Sequence, residues 1–245
     1  MMQCKLGKKP PRIDKRTLKF RDYITPALPA PPPSADWTAK VPVWPMMGND
    51  QYGDCTCAAA GHLIETWTAN ATAPLILPDD EILAAYNVVD GGVDQGADML
   101  TVLNYWRQTG IGGDKIVAYA QVGMTNVTEI QQAIDLFGGV YIGVALPDFA
   151  VQGDMLTVPW MMPTGGSSPQ PDPNNGHCIP LVQYDAQGVT AITWGEAKRA
   201  SWDFITTYAD EGYTILSDDW IEVTGDSPGG LNIAQLQADL QEVTA

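Results

Sequence analysis

A loop that runs straight into a helix, Gly53-Asp54-Cys55-Thr56-Cys57-Ala58-Ala59-Ala60-Gly61-His62-Leu63-Ile64-Glu65, limits the folds open to this chain more than any other stretch. Asp54 is a residue type that caps helix N-termini, and Ala58 to Ala60 are the strongest helix formers. Leu63, Ile64 and Trp67 continue the helix to about Thr68 with a buried side. A thiol in the first turn of a helix lies where unpaired N–H groups and the macrodipole favour its thiolate. That is the setting of a cysteine nucleophile. It is equally the setting of a helix start whose thiols pack as small apolar groups, and these residues alone do not separate the two.

Helical patterns come first along the chain and strand patterns second. Pro26, Pro29, Pro31, Pro32 and Pro33 make an extended, non-helical linker. Leu77-Pro78-Asp79-Asp80-Glu81 opens a second helix, with proline and acids where the dipole prefers them, ending near Asp90-Gly91-Gly92. A third helix, about 97–108, buries Leu100, Leu103, Tyr105 and Trp106 and stops at Gly110. Strands are expected at 115–122, 140–145, 177–185, 188–194 and 212–217, with a helix at 127–137. The long Pro/Gly/Ser/Asn segment at 159–176 is of the kind that borders a binding site. A final amphipathic helix at about 232–243 would use Ile233, Leu236 and Leu240. This order predicts α+β rather than alternating α/β.

Composition narrows the function classes. No apolar run approaches the roughly 18 residues of a membrane span. The basic start lacks an apolar core behind it, so the cytosol of the producing cell is expected. Cys4, Cys55, Cys57 and Cys178 form no disulfide framework, and Cys55 and Cys57 diverge on a helix. Eight of the thirteen basic residues lie before residue 22 against one acid, Asp14, so this arm carries +7 and the remainder −23 of the net −16. An acidic body argues against nucleic acid as its ligand. The arm is suited to an acidic protein surface or assembly, or to staying solvated.

Several motifs, in order, resemble those of the papain family of cysteine peptidases. Pro33-Ser34-Ala35-Asp36-Trp37 resembles the mature start, and Asn49-Asp50-Gln51-Tyr52-Gly53-Asp54-Cys55 the loop leading to the nucleophile. Asp94-Gln95-Gly96-Ala97-Asp98-Met99-Leu100, followed by Tyr105-Trp106 and Thr109-Gly110-Ile111, resembles the next glycine-led helix. Asn175-Gly176-His177-Cys178-Ile179-Pro180-Leu181 resembles the strand bearing the catalytic histidine. Thr193-Trp194-Gly195 and 210–216 resemble the closing strands. The resemblance implies a papain-like two-lobed α+β fold over residues 33–222. A helical lobe at about 50–112 would face an antiparallel β-barrel-like lobe at about 113–222 across a cleft. The basic arm, 1–32, and a helical tail, 223–245, lie outside it.

It further implies Cys55 as nucleophile and His177 as its base. Spacing from Gln51 selects Cys57, whereas the helix register, with Ile64-Glu65 nine and ten residues beyond, selects Cys55. A helix tolerates insertions poorly and a loop tolerates them well, which favours Cys55. Gln51 or Asn49, with the Cys55 N–H, would hold the oxyanion. His177 would carry the proton as imidazolium beside the thiolate, and a peptide or amide would be the substrate.

Two departures matter. The family's Asn, two residues before Trp194, is Ile192, which cannot orient an imidazole; a backbone carbonyl, Thr193 or Asp185 is left to replace it. In a serine-protease triad a comparable lesion costs about 10⁴ in kcat. The leader before Trp37 is also far shorter than the family's inhibitory propeptide. The lost Asn and the +7 arm open an alternative, a catalytically inactive scaffold in a larger assembly such as a phage virion. Cys55, Cys57, His62, His177 and Cys178 match no compact zinc spacing, His62 reads as a hydrogen-bonded core residue, and no metal or cofactor is expected.

Overall fold

A computed structural model describes residues 4–25, 28–71, 73–153, 158–165, 168–220, 234–235 and 238–239. The long first helix, α1 (Cys55–Ala71), is buried on all sides up to Asn70. Its alanines, Gly61 and threonines permit this, because small side chains let neighbours approach the helix axis. A Cβ at Gly61 would stand 2.6 Å from the Met47 sulfur. Two further helices, α2 (Asp79–Val89) and α3 (Met99–Gln108), pack against it. Pro78 occupies the N-cap position of α2, and the Asp98 side chain caps α3 by accepting from Thr101 N–H. Trp106 and Leu103 are fully buried, whereas Tyr105 is only partly so, because it sits on the flank of α3 and not on the stripe facing α1.

The second half is an antiparallel sheet with strand order β2 (Ile116–Gln121), β7 (Ala209–Ser217), β3 (Val140–Ala145), β4 (Gly176–Asp185), β5 (Gly188–Thr193), β6 (Glu196–Ser201). A two-residue strand, β1 (Ala35–Asp36), adds to β4. Among the described residues the sheet is open, with no pairing between β2 and β6. The helix expected at 127–137 is α4 (Val127–Phe137), capped by Asn126 and ended by Gly138 in the left-handed region. Its last carbonyls are taken by indole N–H groups: Trp37 on Ile134, Trp220 on Leu136 and Trp67 on Phe137. These bonds satisfy helix-end acceptors that would otherwise be buried bare.

Two elements escape the sequence pattern. The polar strand β6 runs along the sheet edge, where exposed side chains are tolerated. Next comes α5 (Trp202–Tyr208), started by the Ser201 side chain accepting from Phe204 N–H. The expected C-terminal helix falls almost wholly outside the described residues, including Ile233, Leu236 and Leu240. No helix among the described residues is long and apolar enough to cross a membrane.

The core divides in two. One cluster joins α1, α2 and α3 to one part of the sheet, around Trp67 and Trp106. The other joins α4 and α5 to the rest, around Phe137, Trp160 and Phe204. Cys55 belongs to the first cluster and Trp194 to the second.

Candidate active site

At the seam between these cores lies a small cavity lined by Cys55, Ala58, Ala59 and His62 from α1, by Asn49 from the preceding loop, and by His177, Cys178, Ile192, Thr193 and Trp194 from the sheet. Its volume, counted for the centre of a water-sized sphere, is about 10 Å³. That is roughly the room one water needs. Cys55 and His177 thus share one enclosure although 122 positions separate them in the chain. The Asp54 carbonyl accepts from Ala58 N–H, which makes Asp54 the N-cap by its backbone and puts Cys55 in the first turn.

His177 enters at the head of β4, opposite Val144 on β3. Its Nε2 is 2.7 Å from the Thr193 hydroxyl oxygen. Its ring stacks on Trp194, with centroids 4.4 Å apart at 17°. Trp194 and Gly195 form the two-residue turn joining β5 to β6, both with positive φ, 49° and 72°. Such a turn matches strand twist but strains a residue as bulky as tryptophan. The strained turn lays the indole over the imidazole. Thr193 therefore stands where a replacement for the missing Asn is needed. Asp185, the other acidic candidate, is engaged elsewhere, by Arg199 and the Gln187 and Gly188 N–H groups. Ile192 lines the cavity as an apolar wall.

Of the two oxyanion candidates, Asn49 lies on the cavity and Gln51 does not; Gln51 is exposed. The Asn49 amide nitrogen donates to the Tyr52 carbonyl at 3.2 Å and to Asp54 Oδ1 at 2.9 Å. The other Asp54 oxygen is buried without a partner, and burial raises its carboxyl to about 8. Cys57 does not line the cavity and is fully buried in the helical core, its thiol pushed well up by desolvation. His62 is the core residue expected, with Nε2 on the Pro45 carbonyl at 2.9 Å. All four cysteines are free thiols.

Burial disfavours an isolated charge at either principal group. It pushes the Cys55 thiol up to about 12, against the backbone N–H groups of Cys178 and Gly7, which pull it down. Desolvation, then the Lys198 charge, pushes His177 down to about 3. Each shift disfavours the charged form of its own group taken singly.

The N-terminal arm lies across the residues around this cavity. Lys5 N–H donates to the Asn49 carbonyl, Gly7 and Lys8 N–H to the Gly176 carbonyl, and Lys9 N–H to the Ala97 carbonyl. In return Ala97 N–H donates to the Gly7 carbonyl and the Trp194 indole to the Lys5 carbonyl. The charge of the arm suggested a grip for an acidic surface, and its length fell short of a propeptide; neither pointed to a segment lying across the site. Covering a cleft takes only a few extended residues at about 3.3 Å each, so a short leader is enough. The glycines at 7, 53 and 96 carried the available signal: a Cβ at Gly7 would lie 1.8 Å from the Gly53 oxygen, and one at Gly96 2.0 Å from the Gly7 oxygen.

A helical lobe presenting a cysteine at a helix start, faced by a histidine on an antiparallel sheet, defines the papain-like cysteine-protease fold, and this chain has it. Xylellain, a cysteine protease from Xylella fastidiosa, matches with a TM-score of 0.67 and 14% identity over 88% of this chain and 97% of that one. The cysteine protease CMS1MS2 of Carica candamarcensis matches at 0.52 and 17% identity, over 76% and 99%. The ragweed-pollen protease Amb a 11, in its proform, matches at 0.58 and 15% identity, over 82% and 71%. No protein-family model and no curated protein matches the sequence. At these identities the likeness is one of fold.

Proposed function

We propose that this chain is a papain-like Cys–His hydrolase acting on peptide or amide bonds. The supporting observation is the state of His177: Nε2 is taken by Thr193, while Nδ1, with no partner among the described residues, belongs to a ring lining the same cavity as Cys55. With Nε2–H donating to Thr193, Nδ1 is the basic nitrogen. It takes the thiol proton as sulfur bonds to the carbonyl carbon and the C=O electrons move to oxygen. Backbone N–H groups at the start of α1 hold that oxyanion. Collapse breaks the C–N bond, and the imidazolium protonates the departing amine. Water then cleaves the thioester by the same base, restoring the thiol. Because either charge alone is disfavoured while the arm is seated, the arm is a cover that must leave before this sequence starts.

The test is thiol labelling in the full chain by an epoxide probe such as E-64, the compound in complex with the Carica candamarcensis protease. In a Gly7→Val chain, whose arm cannot seat, Cys55 should label stoichiometrically and faster than the other thiols, and His177→Ala should abolish this. Equal sluggishness of all four thiols removes the reading. A second reading, an inactive scaffold whose basic arm grips an acidic surface in an assembly such as a virion, draws support from Ile192 and the engaged Asn49 amide. Unchanged co-purification with a large particle after deletion of residues 1–32 removes that one.

A further inference from the structure

Lys8 is the most deeply placed cation described here, its side chain 1% exposed. Its ammonium lies 2.9 Å from Asp210 Oδ2 and 3.3 Å from Glu211 Oε1, and it also donates to the Lys9 carbonyl at 3.2 Å. Glu211 is held in place by the Tyr213 hydroxyl, which donates to Oε2 at 2.8 Å and leaves Oε1 for the ammonium. The aliphatic stem crosses Gly143, where a Cβ would stand 1.9 Å from Lys8 Cε. At Gly176 a Cβ would stand 2.1 Å from the Lys8 carbonyl oxygen. The body thus supplies a slot without side chains for the stem, two carboxylates at its end, and main-chain partners at Gly176 and Ala97 for the residues on either side.

A buried carboxylate without a cation is costly, so this pocket is built to be filled by a positive side chain. Nothing in it is particular to Lys8 as a residue of the same chain. Gly7, next to Lys8, donates its N–H to the carbonyl of Gly176, the residue before His177, so the pocket adjoins the cavity that Cys55 and His177 share. We propose that the pocket formed by Gly143, Gly176, Asp210 and Glu211 recognises a lysine or arginine side chain of an incoming peptide, with Lys8 occupying it in place of that peptide. The inference rests on the hydrolase reading for its consequence, a preference for substrates with a basic residue beside the cleaved bond. The pocket itself can be tested without turnover.

The experiment uses the full chain carrying Gly7→Val, which displaces the arm and leaves the pocket residues intact. A labelled peptide spanning residues 5–12 is titrated against it, alongside the same peptide with Lys8→Leu. The lysine form should bind about tenfold tighter or more, as hydrogen bonds to charged groups warrant. Glu211→Gln should erase most of that difference. Asp210→Asn, at the partly exposed carboxylate, should reduce it and guards against a folding defect in the buried variant. Equal binding of the two peptides, or a difference indifferent to both variants, overturns the proposal. A positional scan of fluorogenic peptides over two residues on each side of the bond then addresses the chemistry. No cleavage alongside a retained binding preference removes the hydrolase reading and leaves the pocket standing. Cleavage indifferent to basic residues at every position removes the pocket's role and leaves the hydrolase.

Discussion

His177 and Thr193 are joined across neighbouring strands at 2.7 Å, Nε2 to Oγ1, with Trp194 closing the ring face above them. On the hydrolase reading, the Thr193 hydroxyl takes the part of a side-chain amide at position 192, one residue away, where Ile192 lines the cavity. Changing Thr193 to Val removes the acceptor while keeping the shape. Labelling of Cys55 in the Gly7→Val background should fall by roughly 10²-fold, the lower end of what a positioned acid–base group contributes. Thr193→Ser should restore most of it. A labelling rate unmoved by Val would show that the ring is oriented without this bond. Stability should fall by about 1–2 kcal/mol, since a buried ring nitrogen loses its partner.

Lys8 decides how often the arm leaves. Replacing it with alanine removes the ammonium between Asp210 and Glu211 and frees the stem's slot over Gly143. Breaking a buried pair outright costs about 3–5 kcal/mol. Asp210 is a quarter exposed, and water reaches Glu211 once the arm lifts, so a cost of about 1–2 kcal/mol is the better expectation. That corresponds to a roughly 5- to 30-fold larger open population. The epoxide labelling rate of Cys55 in the otherwise unaltered chain should rise by that factor. A rate no higher than in the parent chain would mean that main-chain bonds alone hold the arm.

The helix carrying Cys55 was legible because small residues and a cap mark its start, and the strand carrying His177 because the largely apolar run 177–185 follows a turn. Helix register chose Cys55 over Cys57, and it is Cys55 that shares a cavity with His177. What local pattern could not reveal are relations between distant elements. The Thr193 contact depends on strand pairing and on a turn strained at Trp194. Lys8, exposed in a polar-looking arm by composition, is buried only because Gly143, Asp210 and Glu211, far along the chain, make room for it. The polar strand 196–201 reads as a loop because an edge strand needs no alternation of apolar residues.

Asn49 and Gln51 separate two roles that spacing alone conflated. Asn49 ties the Tyr52 carbonyl to Asp54 beneath the helix start, and Asp54 has no other side-chain partner. Asn49→Ala should therefore destabilise the chain by roughly 1–3 kcal/mol, the penalty for a buried acceptor left bare. Gln51 is exposed in a turn and off the cavity, so Gln51→Ala should stay within about 0.5 kcal/mol. Thermal melts of both variants check this. In labelling, Asn49→Ala should slow Cys55 more than Gln51→Ala does; the reverse order would return the oxyanion role to Gln51.

Glu65 contributes to the loss of stability at alkaline pH, together with Asp54. Both Glu65 carboxyl oxygens are buried without a hydrogen-bond partner among the described residues, and desolvation raises the group to about 8 from an ordinary 4.5. Between those values the folded chain holds a proton that the unfolded chain has released, so stability falls as pH rises through the interval and levels off above about 8. The loss is at most a few kcal/mol. At the acid end the histidines act oppositely. Burial lowers His62 to about 4 and His177 to about 3, so the unfolded chain takes up protons first, and stability falls as pH drops below about 6.5. Glu65→Gln removes the Glu65 share of the alkaline limb and leaves that of Asp54, whose carboxyl is raised alike. Its melting temperature should match the parent's near pH 5 and exceed it increasingly towards pH 8, while the acid limb stays unchanged. A pH-independent offset between the two melts would show that Glu65 is ionised in the folded chain and held by contacts other than those described here.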